Sequence, residues 1–204
     1  MKATFRAAAL IDGTALYFRS REGRSEQSER LDYEALNRKL IDVSGAVSFE
    51  PAIFFTTYDA QNENQAKFLA FLQTRLRWQI EPRPVWEADP LPKEAWERGE
   101  RRSEYIRFDS SIAFALGRLV ERRDGIIVVT DSFGLAQPML AAAEYKGAEI
   151  GLGFFSRHLD PRWLPIVRGG DDKISFYDFD EYDELFGRKS ATTTKRGTTL
   201  AHLK

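Results

Sequence analysis

Three aspartates stand out by position. Asp12 closes the apolar run Ala7 to Ile11, Asp131 closes the run Ile126 to Thr130, and Asp109 opens a helical stretch lying between the two. Carboxylates brought together repel one another, so a fold tolerates the cluster mainly when a cation neutralises it. Mg²⁺ or Mn²⁺ held by such oxygens would orient an attacking water and stabilise charge developing on a phosphate. Each aspartate also has a plainer reading. Asp12-Gly13 is a common turn dipeptide, Asp109 is suited to cap its own helix, and Asp131-Ser132 is another helix-start signal. Taken jointly, at equivalent places in the layout, the three favour one metal site over three separate caps.

Positioning these side chains requires the elements around them. Apolar runs of strand length alternate with segments of helical period, which predicts an α/β fold, three-layered, around a central mostly parallel sheet. Strands are expected over Phe5 to Ile11, Ala52 to Tyr58, Gln79 to Val85, Gly125 to Thr130, Ala148 to Phe155 and Ile174 to Tyr177. Pro82 and Pro84 push the third of these to a sheet edge, because proline cannot donate to a ladder. Helices are expected over 31–43, 61–76, Ser110 to Glu121 and Leu135 to Tyr145, the last stopped by Lys146-Gly147. In an open parallel sheet, residues just past the strand C-termini share one crevice, where ligands bind. Asp12 and Asp131 fall at that edge, and Asp109 at a helix N-terminus adds a third carboxylate.

The 204 residues suit one domain over 1–187, with a charged, proline-containing insertion at about 87–102 and a basic tail over 188–204 expected to be disordered. There is no cysteine, which excludes disulfides and cysteine-based zinc sites. The first apolar stretch is too short to span a membrane or to serve as a signal-peptide core, so a cytoplasmic protein without membrane association is expected. A net charge of −1 excludes broad attraction to polyanions, leaving that work to local basic patches or bound cations.

Arg98, Arg101, Arg102 and Arg107 crowd beside the acidic edge, and Arg102 and Arg107 are the candidate phosphate contacts. A solvated loop of paired charges, with Glu97, Glu100 and Glu104, is the plainer alternative. Ser132 and Thr130 are candidate supports for a metal-bound water or a phosphate. Trp78 and Trp163 are expected in the core, while Trp86 and Trp96 are better placed to stack on bases. Neither His158 nor His202 has a partner motif.

The run Ala7-Ala8-Ala9-Leu10-Ile11-Asp12-Gly13 resembles the opening of NYN domains, the PIN-like nucleases that include the LabA and DUF88 groups. Phe54-Phe55-Thr56-Thr57-Tyr58 is similar to that family's second strand, and Arg107-Phe108-Asp109 to its acidic helix start. Ile127-Val128-Val129-Thr130-Asp131-Ser132, with Pro138-Met139-Leu140 and the helix ending at Lys146-Gly147, resembles its strand, acidic turn and helix. Asp172-Lys173-Ile174 is similar to a late Asp-x-hydrophobic segment. The resemblance implies a PIN-like fold and a metal-dependent endoribonuclease in which Asp12, Asp109 and Asp131 hold Mg²⁺ or Mn²⁺. Two departures stand against the pattern. Thr14-Ala15 replaces a usual asparagine, and Phe133 stands where the third motif usually carries a second acid. One metal rather than two is then expected. The alternative is a degenerate domain that binds RNA or a protein partner, or pairs as a homodimer, without cutting. Asp12-Gly13-Thr14 also resembles the haloacid dehalogenase signature, but the nucleophilic aspartate of that family would fall at Leu10.

Overall fold

Strand β1 (Arg6–Asp12) is buried along its length after Arg6, and its side chains alternate between two separate cores. Ala9 and Ile11 belong to one and Leu10 to the other, as the two-residue period of a strand demands when both faces are covered. The computed structural model describes residues 5–22, 30–84, 107–145, 147–169 and 173–186. The expected insertion, the tail, Arg102, Trp86 and Trp96 lie outside them.

Seven strands form one sheet in the order β4-β3-β1-β5-β6-β7, and every pairing is parallel. They are β1, β2 (Ser48–Phe49), β3 (Ile53–Tyr58), β4 (Gln79–Pro84), β5 (Gly125–Val129), β6 (Glu149–Phe154) and β7 (Ile174–Asp178), with β2 a short addition alongside β1. As expected from its prolines, β4 lies at an edge. On one face lie α1 (Gly13–Arg19), α2 (Tyr33–Ser44) and α3 (Glu63–Arg75), which send Leu16, Leu36, Leu40, Leu69 and Leu72 into the first core. On the other lie α4 (Asp109–Val120), α5 (Ala136–Glu144) and α6 (Leu164–Arg168), with Ile112, Leu116 and Met139 in the second. The fold is therefore α/β, three-layered and Rossmann-like. No helix among the described residues is long and apolar enough to cross a membrane.

Local chemistry explains most boundaries. Asp32 caps α2, accepting from the amides of Glu34 and Ala35, and Gly45 ends that helix in the left-handed region. Gly147 follows α5 with a φ of +63°, as its reading as a helix-terminal glycine requires. Gly151 and Gly153, two residues apart on one face of β6, are packing positions. A Cβ at Gly151 would stand 2.6 Å from the Tyr177 ring, and one at Gly153 2.8 Å from Phe179. Trp78 and Trp163 are buried in the two cores. Helix α1 is the main difference from expectation. Asp12-Gly13 is not a turn between elements but a direct strand-to-helix junction, and the helix it starts carries side chains back over the sheet edge.

The strand order reverses between β1 and β5. From β1 the chain builds outward through β3 to β4, then crosses back and places β5 on the other side of β1. Diverging connections leave a crevice at the carboxyl ends of the two central strands. Ile11 pairs with Val129, so Asp12 and the Thr130-Asp131 segment emerge together at that crevice.

A candidate acidic cleft at the sheet edge

Asp12 is 2% exposed although it ends a strand at the crevice. Its Oδ1 accepts the Ala15 amide at 2.9 Å, so the plain capping role is real. Burial pushes its carboxyl pKa up to about 7; the Ala15 bond opposes this, Asp131 and Asp109 add to it, and Arg107 pulls it back. Those couplings bring the three sequence-predicted acids into one electrostatic neighbourhood.

Asp131 follows β5, and its Oδ2 accepts from Arg19 Nε at 3.0 Å. Its Oδ1 is buried without a hydrogen bond, with Arg107 Nη1 at 3.8 Å. Asp109 does not cap α4. It is the first helical residue, and its Oδ2 accepts the Ser132 hydroxyl at 2.7 Å while Oδ1 is buried without a partner. Ser132 is the residue that caps the turn into α5, accepting the Gly134 amide at 3.2 Å. Thr130 is fully buried and accepts the Ser132 amide at 3.1 Å. Gly134 is needed for this approach, since a Cβ there would come within 2.5 Å of Asp109 Oδ2.

Asp12 and Asp131 line a cleft of about 340 Å³ together with Glu22 and three arginines, Arg19, Arg21 and Arg107. Asp109 does not line this cleft; its Oδ2 is tied to Ser132, the neighbour of Asp131 in sequence. As the side chains stand, no three Asp, Glu, His or Cys groups among the described residues are gathered closely enough to hold a metal. In chemical kind, though not in their present spacing, the donors would suit one hard cation. They are carboxylate oxygens, two of them buried without hydrogen-bond partners, beside an aspartate whose ionisation is costly where it lies.

Arg19, Arg21 and Glu22, on α1 and its exit, did not emerge from the sequence reading, whereas Arg107, just before α4, did. Arg19 bridges Asp131 and Glu22, at 3.0 and 2.6 Å. Burial pulls its pKa down, but the bonds to Asp131 and Glu22 prevail and raise it. Glu22 in turn lies 3.3 Å from His158 Nδ1, and Arg157 Nε donates to His158 Nε2 at 3.0 Å. Burial lowers the His158 pKa, against the pull of Glu22. The available signal was spacing, because Arg19 stands about two helical turns beyond the Asp12 cap, on the same side of a helix.

Phe133, which stands where the resembled third motif carries a second acid, is used by this fold for packing. Its ring meets Trp163 edge to face, centroids 5.5 Å apart, and Arg162 lies 4.5 Å over it. Phe133→Asp is expected to lower stability by about 2 kcal/mol, measured by urea denaturation, through lost burial and a carboxylate on apolar surface. It should not strengthen binding of Mn²⁺ in calorimetric titration.

No family model matches the chain, and no curated protein does. Among solved structures, it is similar to a protein of unknown function from Vibrio parahaemolyticus RIMD 2210633, at a TM-score of 0.66 and 14% identity, covering 91% of this chain and 98% of that one. At that identity the likeness bears on the fold alone.

Proposed function

We propose that this protein is a metal-dependent endoribonuclease hydrolysing RNA phosphodiesters in the cleft at the β1–β5 switch point. The observation that carries the reading is a group of buried, under-partnered carboxylates set beside arginines where a parallel sheet opens to ligands. Resemblance to NYN domains supports the same chemistry. Asp12 and Asp131, backed by Asp109, would hold Mg²⁺ or Mn²⁺. Bound there, the ion supplies an activated water and neutralises charge on a phosphoryl oxygen.

The chain's own residues do the rest. Ser132 keeps Asp109 turned inward, so a phosphate contact from Ser132 would require that bond to exchange. Arg107, its side chain 60% exposed and paired with Asp131 only at 3.8 Å, would reach a phosphate flanking the scissile bond. Arg102, outside the described residues, is proposed in the same role. Asp12 must lose its proton to bind a cation, so affinity should climb with pH up to about 7 and then level off. Asp131→Asn is expected to reduce Mn²⁺-dependent cleavage of mixed RNA about a hundredfold or more. Equal activity in both proteins would remove Asp131 from the mechanism. A cytoplasmic location is part of the proposal, since a chain without cysteine makes no use of an oxidising compartment.

One observation favours a second reading, a domain that binds RNA or a protein partner, or self-associates, without cutting. Arg19 already neutralises Asp131, standing where a cation's charge is wanted. Arg19→Gln separates the two. In the nuclease, removing a cation a few ångströms from the ion should tighten Mn²⁺ about tenfold, seen as a larger metal-induced rise in melting temperature. In the non-cutting domain, Mn²⁺ should leave the melting temperature unchanged in both proteins.

A further inference from the structure

Beside the cleft, Tyr17 of α1 and Arg21 just past its end form a pair that the proposed hydrolysis leaves unused. Tyr17 is 38% exposed, and the guanidinium of Arg21 lies 4.0 Å from its ring centroid. The two are four residues apart, neighbours on one side of the helix and its exit. Phe18, which lines the cleft, meets Tyr17 edge-on with centroids 5.3 Å apart at 85°, fixing the ring's orientation. Arg21 lines the same cleft. Arg19 is held by Asp131 and Glu22, whereas Arg21 has no carboxylate partner among the described residues. An exposed ring with a guanidinium stacked on it offers a π-system and a positive charge beside the cleft that Phe18 and Arg21 line.

We infer that Tyr17 and Arg21 form a stacking platform for a base of single-stranded RNA, whose neighbouring phosphate enters the cleft between Arg19 and Arg107. This rests on the reading of the cleft as a phosphodiester site. Bases stack on aromatic rings and on guanidinium planes, and every base has a face to offer, so the contact is tolerant of sequence. Duplex RNA keeps its bases stacked on one another, which makes the single strand the ligand. The cleft volume of about 340 Å³ lies at the lower end of small-ligand pockets, enough for local contacts and too small to enclose a folded RNA. With a net charge of −1, the protein needs such local contacts to hold a polyanion at all.

The test is fluorescence anisotropy of a labelled oligoadenylate octamer in EDTA, where no metal-dependent cleavage intervenes. Tyr17→Ala should weaken binding between about fivefold and a hundredfold, the range for one base stack, while Tyr17→Phe binds like wild type. Arg21→Ala should weaken binding and reduce the salt slope by about one, whereas Tyr17→Ala leaves that slope intact. An octamer of abasic sugar-phosphate should bind wild type and Tyr17→Ala alike. Thermal melting of each variant confirms that an exposed position has been changed without unfolding. Wild-type affinity in Tyr17→Ala overturns the platform alone. Adenosine monophosphate competing as well as the octamer overturns the strand as its ligand. An octamer that fails to bind wild type, with no Mn²⁺-dependent cleavage, overturns the phosphodiester reading and the platform with it.

Discussion

Asp12→Asn should raise the stability of the metal-free protein by about 2–4 kcal/mol at pH 8 while abolishing Mn²⁺-dependent cleavage. The folded-state pKa of Asp12 stands at about 7 against an ordinary 3.8, chiefly because burial disfavours the charge. Below pH 4 the carboxyl is protonated whether folded or unfolded, and it has no effect on the balance. Between about 4 and 7 the folded state holds a proton that the unfolded state has released, so stability falls as pH rises. Above 7 the full penalty is present, on the order of 4 kcal/mol for a shift of this size. Asparagine keeps an oxygen to accept the Ala15 amide and carries no charge. The gain should therefore vanish near pH 4, and at pH 8 it should amount to roughly 10 °C in melting temperature.

His158 acts with the opposite sign, since its lowered pKa makes the folded protein less stable as pH falls through the unfolded value of 6.5. Its effect cancels when the variant is compared with wild type at each pH. Mn²⁺ should then reverse the ranking by stabilising only the protein that keeps Asp12. A wild-type protein equally stable relative to Asp12→Asn at pH 5 and pH 8 would show that Asp12 is not held in a costly ionised state.

Gly13→Ala is expected to cost about 3 kcal/mol, a loss visible in urea denaturation and independent of any metal. A Cβ at this position would come within 2.1 Å of the edge of the Phe54 ring. That ring cannot withdraw. It is 1% exposed and hemmed in by Tyr33, Phe68 and Trp78, with centroid separations of 6.1, 6.2 and 5.7 Å. Replacing Phe54 by leucine should recover part of the loss, so the two substitutions together cost less than their sum. If the alanine is tolerated within 0.5 kcal/mol, the close junction between β1 and α1 is wrong. Because Asp12 caps α1 and Arg19 ends it, a tilt of this helix should also lower activity in the fraction that stays folded.

What the chain discloses by itself is whatever a short window can express. Runs such as Ile126 to Val129 are apolar on both sides and read as central strands, while Pro82 and Pro84 announce an edge. Asp32 and Gly147 mark helix ends by local hydrogen bonding and by glycine's tolerance of positive φ. The three aspartates, and Arg107 beside them, were legible for the same reason, since each sits at a boundary between periodic segments. Only the tertiary structure decided which boundaries meet. The reversal of strand order at β1 and β5 puts Asp12 beside Asp131, and it brings Arg19 to a carboxylate 112 residues away. Gly13, which looks like half of a turn, is required because an aromatic ring from β3 occupies the space a side chain would need. Phe133 and Ser132 are adjacent in sequence, yet one turns into the second core and the other to Asp109. Such choices depend on packing between segments far apart along the chain, and no local period or propensity carries that information.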